Sequence, residues 1–221
     1  MPRTRPAILE AAAGCVERDG VRKMMMGQLA PAAGVAKSTL YNHFRTKDAV
    51  LAALVEARVA ALAAECVVIA GGDAGPRPDL GRETPDSGAG RGLQAALAHA
   101  AAGLAGCRPL RRVAAEDPAL LLPLVVPGDG RGWFQARAAV GEVLAAAGQA
   151  AAPEAVDVVL RWLVGQLLWP ITPAQAQREA ALLARGPAVD LPAAAPAPAI
   201  PAPAIPADST PGGGSGLGWP G

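Results

Sequence analysis

The chain has 221 residues, of which 52% are hydrophobic and only 3% aromatic. A composition rich in alanine and poor in aromatic and β-branched residues favours helices, so we predict an all-α protein. The net charge of +1 excludes a chain that is strongly basic throughout. Residues 1–50, however, carry eight basic and four acidic side chains, and this local charge of +4 suits contact with a polyanion.

Cysteine usage and hydropathy restrict the class of protein further. The three cysteines lie far apart, at positions 15, 66 and 107, and match neither a metal-ligand spacing nor a disulfide framework. We expect them to be small buried hydrophobes, and we predict neither a metal nor a cofactor. No segment has the length and purity of a membrane span, and Glu10 interrupts any signal-peptide core. We therefore expect a cytoplasmic, nucleoid-associated protein without a membrane partner.

Hydrophobic periodicity and helix start and stop signals predict helices along most of the chain. A Gly/Pro-rich loop is expected at 71–92, and the apolar stretch 118–127, with prolines at both ends and in its middle, is expected to be a short or broken helix. The remaining helices are predicted at 4–19, 26–33, 36–43, 47–70, 93–107, 109–116, 131–148, 153–169 and 173–185.

The last segment, residues 187–221, consists of Pro/Ala repeats followed by Gly and Ser. Such a sequence buries too little apolar surface to offset its ordering entropy, so we predict a disordered tail. These patterns divide the chain into a basic N-terminal unit at 1–50, a helical body at 51–186, and this tail.

Residues 25–44 have the spacing of a helix-turn-helix. Ala30 is small where two helices cross, Gly34 supplies a sharp turn four residues later, and Leu40 follows as a buried apolar residue. An ordinary αα-corner shares these apolar positions and the glycine, so the buried pattern alone leaves both interpretations open.

The exposed positions of the second helix favour nucleic-acid binding. Its side chains between the buried positions can all donate hydrogen bonds and none is acidic, as a phosphate- and base-contacting helix requires. These residues are Lys37, Ser38, Thr39, Tyr41, Asn42 and His43. Lys47 follows just before the next helix, whose N-terminal amides can hold another phosphate.

Short motifs at characteristic spacings carry a resemblance to a known family. They are Ile8-Leu9, Gly20, Leu29-Ala30, Ala33-Gly34-Val35, Thr39-Leu40-Tyr41, His43-Phe44 and Lys47. On these residues, positions 5–55 resemble the N-terminal DNA-binding domain of the TetR/AcrR (tetracycline-repressor-like) transcriptional regulators.

The resemblance implies a role for each matching position. Four side chains would contact phosphates and fix the docking: Thr39, Tyr41, His43 and Lys47. Three would face base edges in the major groove: Lys37, Ser38 and Asn42. Leu40 and Phe44 would belong to the core.

The chain departs from the family pattern at four positions. Met25 stands where a capping threonine is usual, Ala36 where a serine is usual, and Ser38 where a glycine is usual. Pro31 lies inside the second predicted helix, where it removes one backbone hydrogen bond. A missing cap costs about 1 kcal/mol. Since the buried pattern is intact, we expect the fold to be kept.

The second half of the chain offers an interface with a second copy. Helix 153–169 is apolar almost all round, which indicates burial on two sides, either in a monomeric core or also against another chain. The resemblance implies the latter, with helices 131–148 and 153–169 forming the four-helix interface of a homodimer. A two-fold dimer would place two recognition helices roughly 34–36 Å apart and read a palindromic operator.

The resemblance also implies a pocket for a small-molecule effector among the middle helices. Its candidate lining residues, chosen by their scarcity and chemistry, are His99, Arg111, Arg112, Trp133 and Phe134. An ordinary structural role is the alternative for each of them. The apolar body suits a hydrophobic or amphipathic ligand.

The resemblance implies a ligand-responsive dimeric transcriptional regulator, a repressor by family habit, whose partners are double-stranded DNA, a second copy and an effector. An enzyme is not expected, because residues 91–186 contain no serine, tyrosine or lysine, one histidine and one cysteine. The remaining alternative is a ligand-independent or architectural DNA-binding protein on the same scaffold. A closed apolar cavity would favour the regulator, and a filled core would favour the architectural protein.

Overall fold

The computed structural model describes residues 4–72, 88–126 and 131–185. Within these ranges every regular element is helical, which confirms the predicted all-α class. The elements are α1 (Thr4–Asp19), α2 (Met26–Ala32), α3 (Lys37–His43), α4 (Lys47–Gly72), α5 (Gly88–Gly106), α6 (Arg108–Glu116), a 3-10 turn (Pro118–Leu121), α7 (Leu122–Val125), α8 (Arg131–Ala146), α9 (Pro153–Leu168) and α10 (Pro173–Ala184).

The start of α5 differs from the sequence expectation. The helix begins at Gly88 rather than near residue 93, so part of the predicted loop 71–92 is helical. The reason is a close approach of α5 to α4, in which a Cβ at Gly92 would lie 2.5 Å from the carbonyl oxygen of Ala70. The glycine that reads as a loop signal therefore serves helix packing. The rest of that loop, residues 73–87, lies outside the described residues.

Two apolar clusters hold the described part together. The first joins α1, α2, α3 and the first half of α4 to α6 and the 3-10 turn. The second joins the far half of α4 to α5, α8, α9 and α10. Leu62 and Leu163 pack against both clusters. The long helix α4 therefore runs from one core into the other and connects the N-terminal helices mechanically to the remainder.

The cysteines behave largely as expected from their apolar surroundings. Cys15 and Cys66 are buried and Cys107 is half-buried, all three as free thiols. The predicted disordered tail, 187–221, lies outside the described residues. Among the helices that the structure describes, none is long and apolar enough to cross a bilayer.

Candidate nucleic-acid interface

The helices α2 and α3 meet at a tight turn whose geometry depends on Gly34. Its φ of 65° lies in the left-handed region that favours glycine. The turn is closed by backbone hydrogen bonds: the amide of Val35 donates to the carbonyl of Ala30 at 3.0 Å, and that of Gly34 donates to Pro31 at 3.2 Å. Leu29, Ala30 and Leu40 are buried between the helices. The predicted helix-turn-helix spacing is thus realised in three dimensions.

The second helix forms despite its two unfavourable residues. Met25 occupies the N-cap of α2 and offers no side-chain hydrogen bond. Pro31 lies in the last turn, so the only intrahelical bond it removes is the one to the carbonyl of Gly27. Gly27 is exposed, and water can satisfy that carbonyl. Leu29 and Ala30 are buried in the first apolar cluster, and this burial offsets the missing cap at Met25 and the hydrogen bond lost at Pro31.

The outer face of α3 is a donor-rich surface. Lys37, Ser38, Tyr41, Asn42 and His43 are exposed, with Tyr41 at 48%. Thr39 is half-buried, while Leu40 and Phe44 are in the core, as the resemblance implied. No acidic side chain lies on the helix. The structure therefore brings the six predicted α3 residues together on one short helix that is anchored from behind by Leu40.

Lys47, the seventh predicted DNA contact, already has a partner within the protein. Its ammonium donates to the carbonyl of Val21 at 3.2 Å and the side chain is half-buried. An ammonium has three donors, so two remain for an anion. This bond fixes the start of α4 to the turn between α1 and α2, directly beside the end of α3.

The same turn is held from the other side by α6. Glu116 accepts hydrogen bonds from the backbone amides of Val21 at 2.9 Å and Arg22 at 3.4 Å, and from the guanidinium of Arg112 at 3.1 Å. Gly20, with a φ of 86°, lies against this group, where a Cβ would come within 2.8 Å of the carboxylate. We call this arrangement the Glu116 clasp. It links α6 to the N-terminal helices across 95 residues of sequence.

Opposing effects act on the Glu116 carboxyl. Partial removal from water raises its pKa. The hydrogen bonds from the Arg22 amide, the Arg112 side chain and the Val21 amide lower the pKa, and together they outweigh the effect of burial. The net result is a pKa below the ordinary value of 4.5. The clasp is therefore charged at neutral pH, and its strength depends on that charge.

A separate apolar cavity of about 110 Å³ lies among α4, α5, α6, α8 and α9. Its walls are leucine, valine and alanine side chains together with Cys66. Leu110 of α6 is one of these wall residues, and the same short helix ends at Glu116 in the clasp. One helix thus touches both the cavity and the turn between α1 and α2.

The five effector contacts proposed from sequence lie elsewhere, and their contact with a ligand stays a prediction. His99 is 2.7 Å from Glu65 of α4, Arg112 belongs to the clasp, and Arg111 is exposed. Trp133 lies beneath the guanidinium of Arg137, and Phe134 is 60% exposed. None of them is among the cavity walls. The rare residues chosen from the sequence are exposed or paired with a neighbouring side chain, whereas the cavity walls consist mostly of alanine, leucine and valine.

Residues 8–54 match the family model described as bacterial regulatory proteins, tetR family. The chain has a tetR-family N-terminal domain. Regulators of this family are DNA-binding proteins without enzymatic activity, in agreement with the expectation from sequence. No curated protein matches the chain in sequence.

Solved structures of tetR-family type share the fold of the described residues. The fatty acid degradation regulator FadR from Bacillus halodurans is 16% identical with a TM-score of 0.57, over 84% of this chain and 96% of that chain. The TetR family repressor AlkX from Dietzia sp. is 17% identical with a TM-score of 0.53, over 81% of this chain and 92% of that one. The likeness extends from the tetR-family domain through the second half of the chain.

Proposed function

We propose that this tetR-family protein is a dimeric transcriptional repressor that binds a palindromic operator and is released by a small apolar or amphipathic molecule. The observation that carries the proposal is the outer face of α3, where hydrogen-bond donors are exposed and acidic groups are absent. Such a face complements both phosphates and the acceptor-rich edges of the major groove.

The seven DNA-facing residues divide into two groups in this proposal. Thr39, Tyr41, His43 and Lys47 hold phosphates and fix the register. Lys37, Ser38 and Asn42 reach base edges. The bond of Lys47 to Val21 supports its role, because a side chain already restrained near the end of α3 loses less entropy when it takes a phosphate.

Dimerisation is supported by apolar side chains left exposed on α8, on α9 and just after it. Phe134, Val158 and Leu168 are 60%, 48% and 43% exposed, and Trp169 is 78% exposed. Large apolar side chains left exposed on two neighbouring helices favour a surface that is covered by a partner. A second copy related by a two-fold axis covers this surface and presents two α3 helices to one operator. Residues 51–186 would form this ligand-binding and dimerisation domain, and residues 1–50 the DNA-binding domain.

Release by an effector follows from the connection between the cavity and the clasp. A ligand that prefers a wider cavity displaces Leu110, and α6 then carries Glu116 away from the amides of Val21 and Arg22. The two DNA-binding domains leave the spacing of one operator, and the equilibrium shifts to the unbound state. The cavity itself favours this regulator over an architectural protein with a filled core.

Selection of duplexes from a random pool by the purified full chain tests the proposal. We expect the retained sequences to share an inverted repeat whose half-sites are about one helical turn apart, roughly 34–36 Å. Retained duplexes without a repeated half-site would contradict the dimeric arrangement, and retention of no duplex at low salt would contradict DNA binding altogether.

A further inference from the structure

The cavity walls contain almost no polar group. Of the twenty lining residues in the described part of the chain, nineteen are alanine, valine or leucine, and Cys66 provides the sole side-chain heteroatom among them. Its thiol donates to the carbonyl of Ala96 at 3.4 Å. Burial, and after it the negative charge of Glu65, raises the pKa of the thiol to about 11. The thiol is therefore neutral at pH 7 and already bonded.

Polar side chains on the surrounding helices are engaged outside the cavity. Arg137 of α8 pairs with Asp157 of α9. Trp162 donates to Glu179 at 2.6 Å, and the amide of Gln166 donates to the carbonyl of Trp162 at 3.3 Å. None of these groups lines the cavity. A carboxylate or ammonium placed there would lose its hydration without gaining a partner, which is strongly unfavourable.

The geometry points to a neutral aliphatic hydrocarbon, a molecule without a polar headgroup, as the ligand of this cavity. The inference rests on the proposed function, in which an effector releases the protein from DNA. It narrows the class of effector from apolar or amphipathic molecules to apolar molecules alone. A dry apolar cavity of about 150 Å³ takes up benzene. The 110 Å³ found here accordingly matches a hydrocarbon of roughly four to six carbon atoms.

Several wall residues of the cavity are alanines, and a larger side chain at one of these positions would fill the cavity. Ala100 of α5 is buried in the wall, whereas Ala102 on the same helix is exposed. Ala100→Leu places three additional carbon atoms into the cavity, and Ala102→Leu makes the same chemical change at the surface. On α4, Ala63 lines the cavity and Ala64 is exposed, so Ala63→Leu and Ala64→Leu form a second matched pair should Ala100→Leu fail to fold.

Thermal unfolding of the full chain with n-hexane or with hexanoate, at equal free concentration and pH 7, tests the inference. Mass action predicts that n-hexane raises the midpoint by roughly 3–6 °C at ten times its dissociation constant. The rise should persist in Ala102→Leu and disappear in Ala100→Leu, and hexanoate should produce none. An equal or larger rise with hexanoate, a rise that survives in Ala100→Leu, or no rise with n-hexane would each overturn the inference.

Titration of the same preparations with operator duplex, first without any additive, separates this inference from the proposed function. Hexane binding without DNA binding would remove the proposed function and leave the cavity assignment standing. DNA binding that is insensitive to hexane, together with no thermal shift, would remove only the ligand assignment. Weaker DNA binding by the hexane-loaded protein, absent in Ala100→Leu, supports both.

Discussion

Replacing Gly92 with alanine should destabilise the protein, whereas the same change at Gly90 should not. A Cβ at Gly92 would lie 2.5 Å from the carbonyl oxygen and 3.4 Å from the carbonyl carbon of Ala70. These are backbone atoms of α4 and cannot rotate away. A Cβ at Gly90 would meet nothing within 4 Å. The two variants therefore differ in packing against α4 while they make the same change near the start of the same helix.

The expected magnitudes follow from two opposing effects. Alanine in a helix is favoured over glycine by about 0.5–1 kcal/mol, because it has less backbone entropy to lose. Forcing an atom into a packed helix contact costs about 1–3 kcal/mol. Gly90→Ala shows only the first effect, and Gly92→Ala shows both. The difference in free energy of unfolding between the variants should therefore be about 1–3 kcal/mol.

Urea denaturation of both variants and the wild type, at one fixed protein concentration, measures this difference. Gly90→Ala should unfold at a urea concentration equal to or above that of the wild type, and Gly92→Ala at a clearly lower one, with the slope unchanged. Equal midpoints for the two variants would refute the close approach of α5 to α4 and, with it, the explanation of where α5 begins.

Three further predictions concern the N-terminal helices and the Glu116 clasp that holds them. Met25→Ser should stabilise the protein by about 1 kcal/mol in urea denaturation, because Gln28 three residues later completes a capping box, while Met25→Ala should stay near the wild type. Glu116 has a lowered pKa, so its contribution to stability is fully present above its ordinary value of 4.5 and is lost as the pH falls through the folded-state pKa. Glu116→Gln should therefore be less stable than the wild type at neutral pH, and this deficit should shrink in acid denaturation profiles; a constant deficit would contradict the clasp. Lys47→Ala should weaken binding to all duplexes alike and reduce the slope of log affinity against log salt by about one, and a change in sequence preference would argue against a phosphate contact.

Local patterns were sufficient to predict most of the helices. Ala30, Gly34 and Leu40 lie within eleven positions of one another, so their spacing was enough to predict two short helices joined by a tight turn, although it did not separate a helix-turn-helix from an αα-corner. The surface of α3 was predictable for the same reason, because helical periodicity separates its buried Leu40 from its exposed neighbours. The small effect of Pro31 was harder to predict. The proline is tolerated because it lies in the last turn of α2, and the sequence alone does not show where α2 ends.

Contacts between distant segments were not predictable from one sequence. Glu116 and Val21 are joined in space across 95 residues, and a glutamate near the end of an amphipathic helix resembles any solvated charge. Gly92 likewise resembles a loop residue until α4 is placed beside it. The cavity walls gave no signal, because a leucine or alanine that borders empty space looks the same in sequence as one in a filled core.

The presentation of α3 to the major groove is tested most directly by fluorescence anisotropy titration of the full chain with its selected duplex at low salt. Asn42→Ala removes a side chain suited to a base edge, and Gln177→Ala removes an exposed amide from α10. We predict that Asn42→Ala weakens binding by roughly 5- to 150-fold, the range of one lost bidentate base contact, and that Gln177→Ala leaves it unchanged. Binding of Asn42→Ala as tight as that of the wild type would contradict the account.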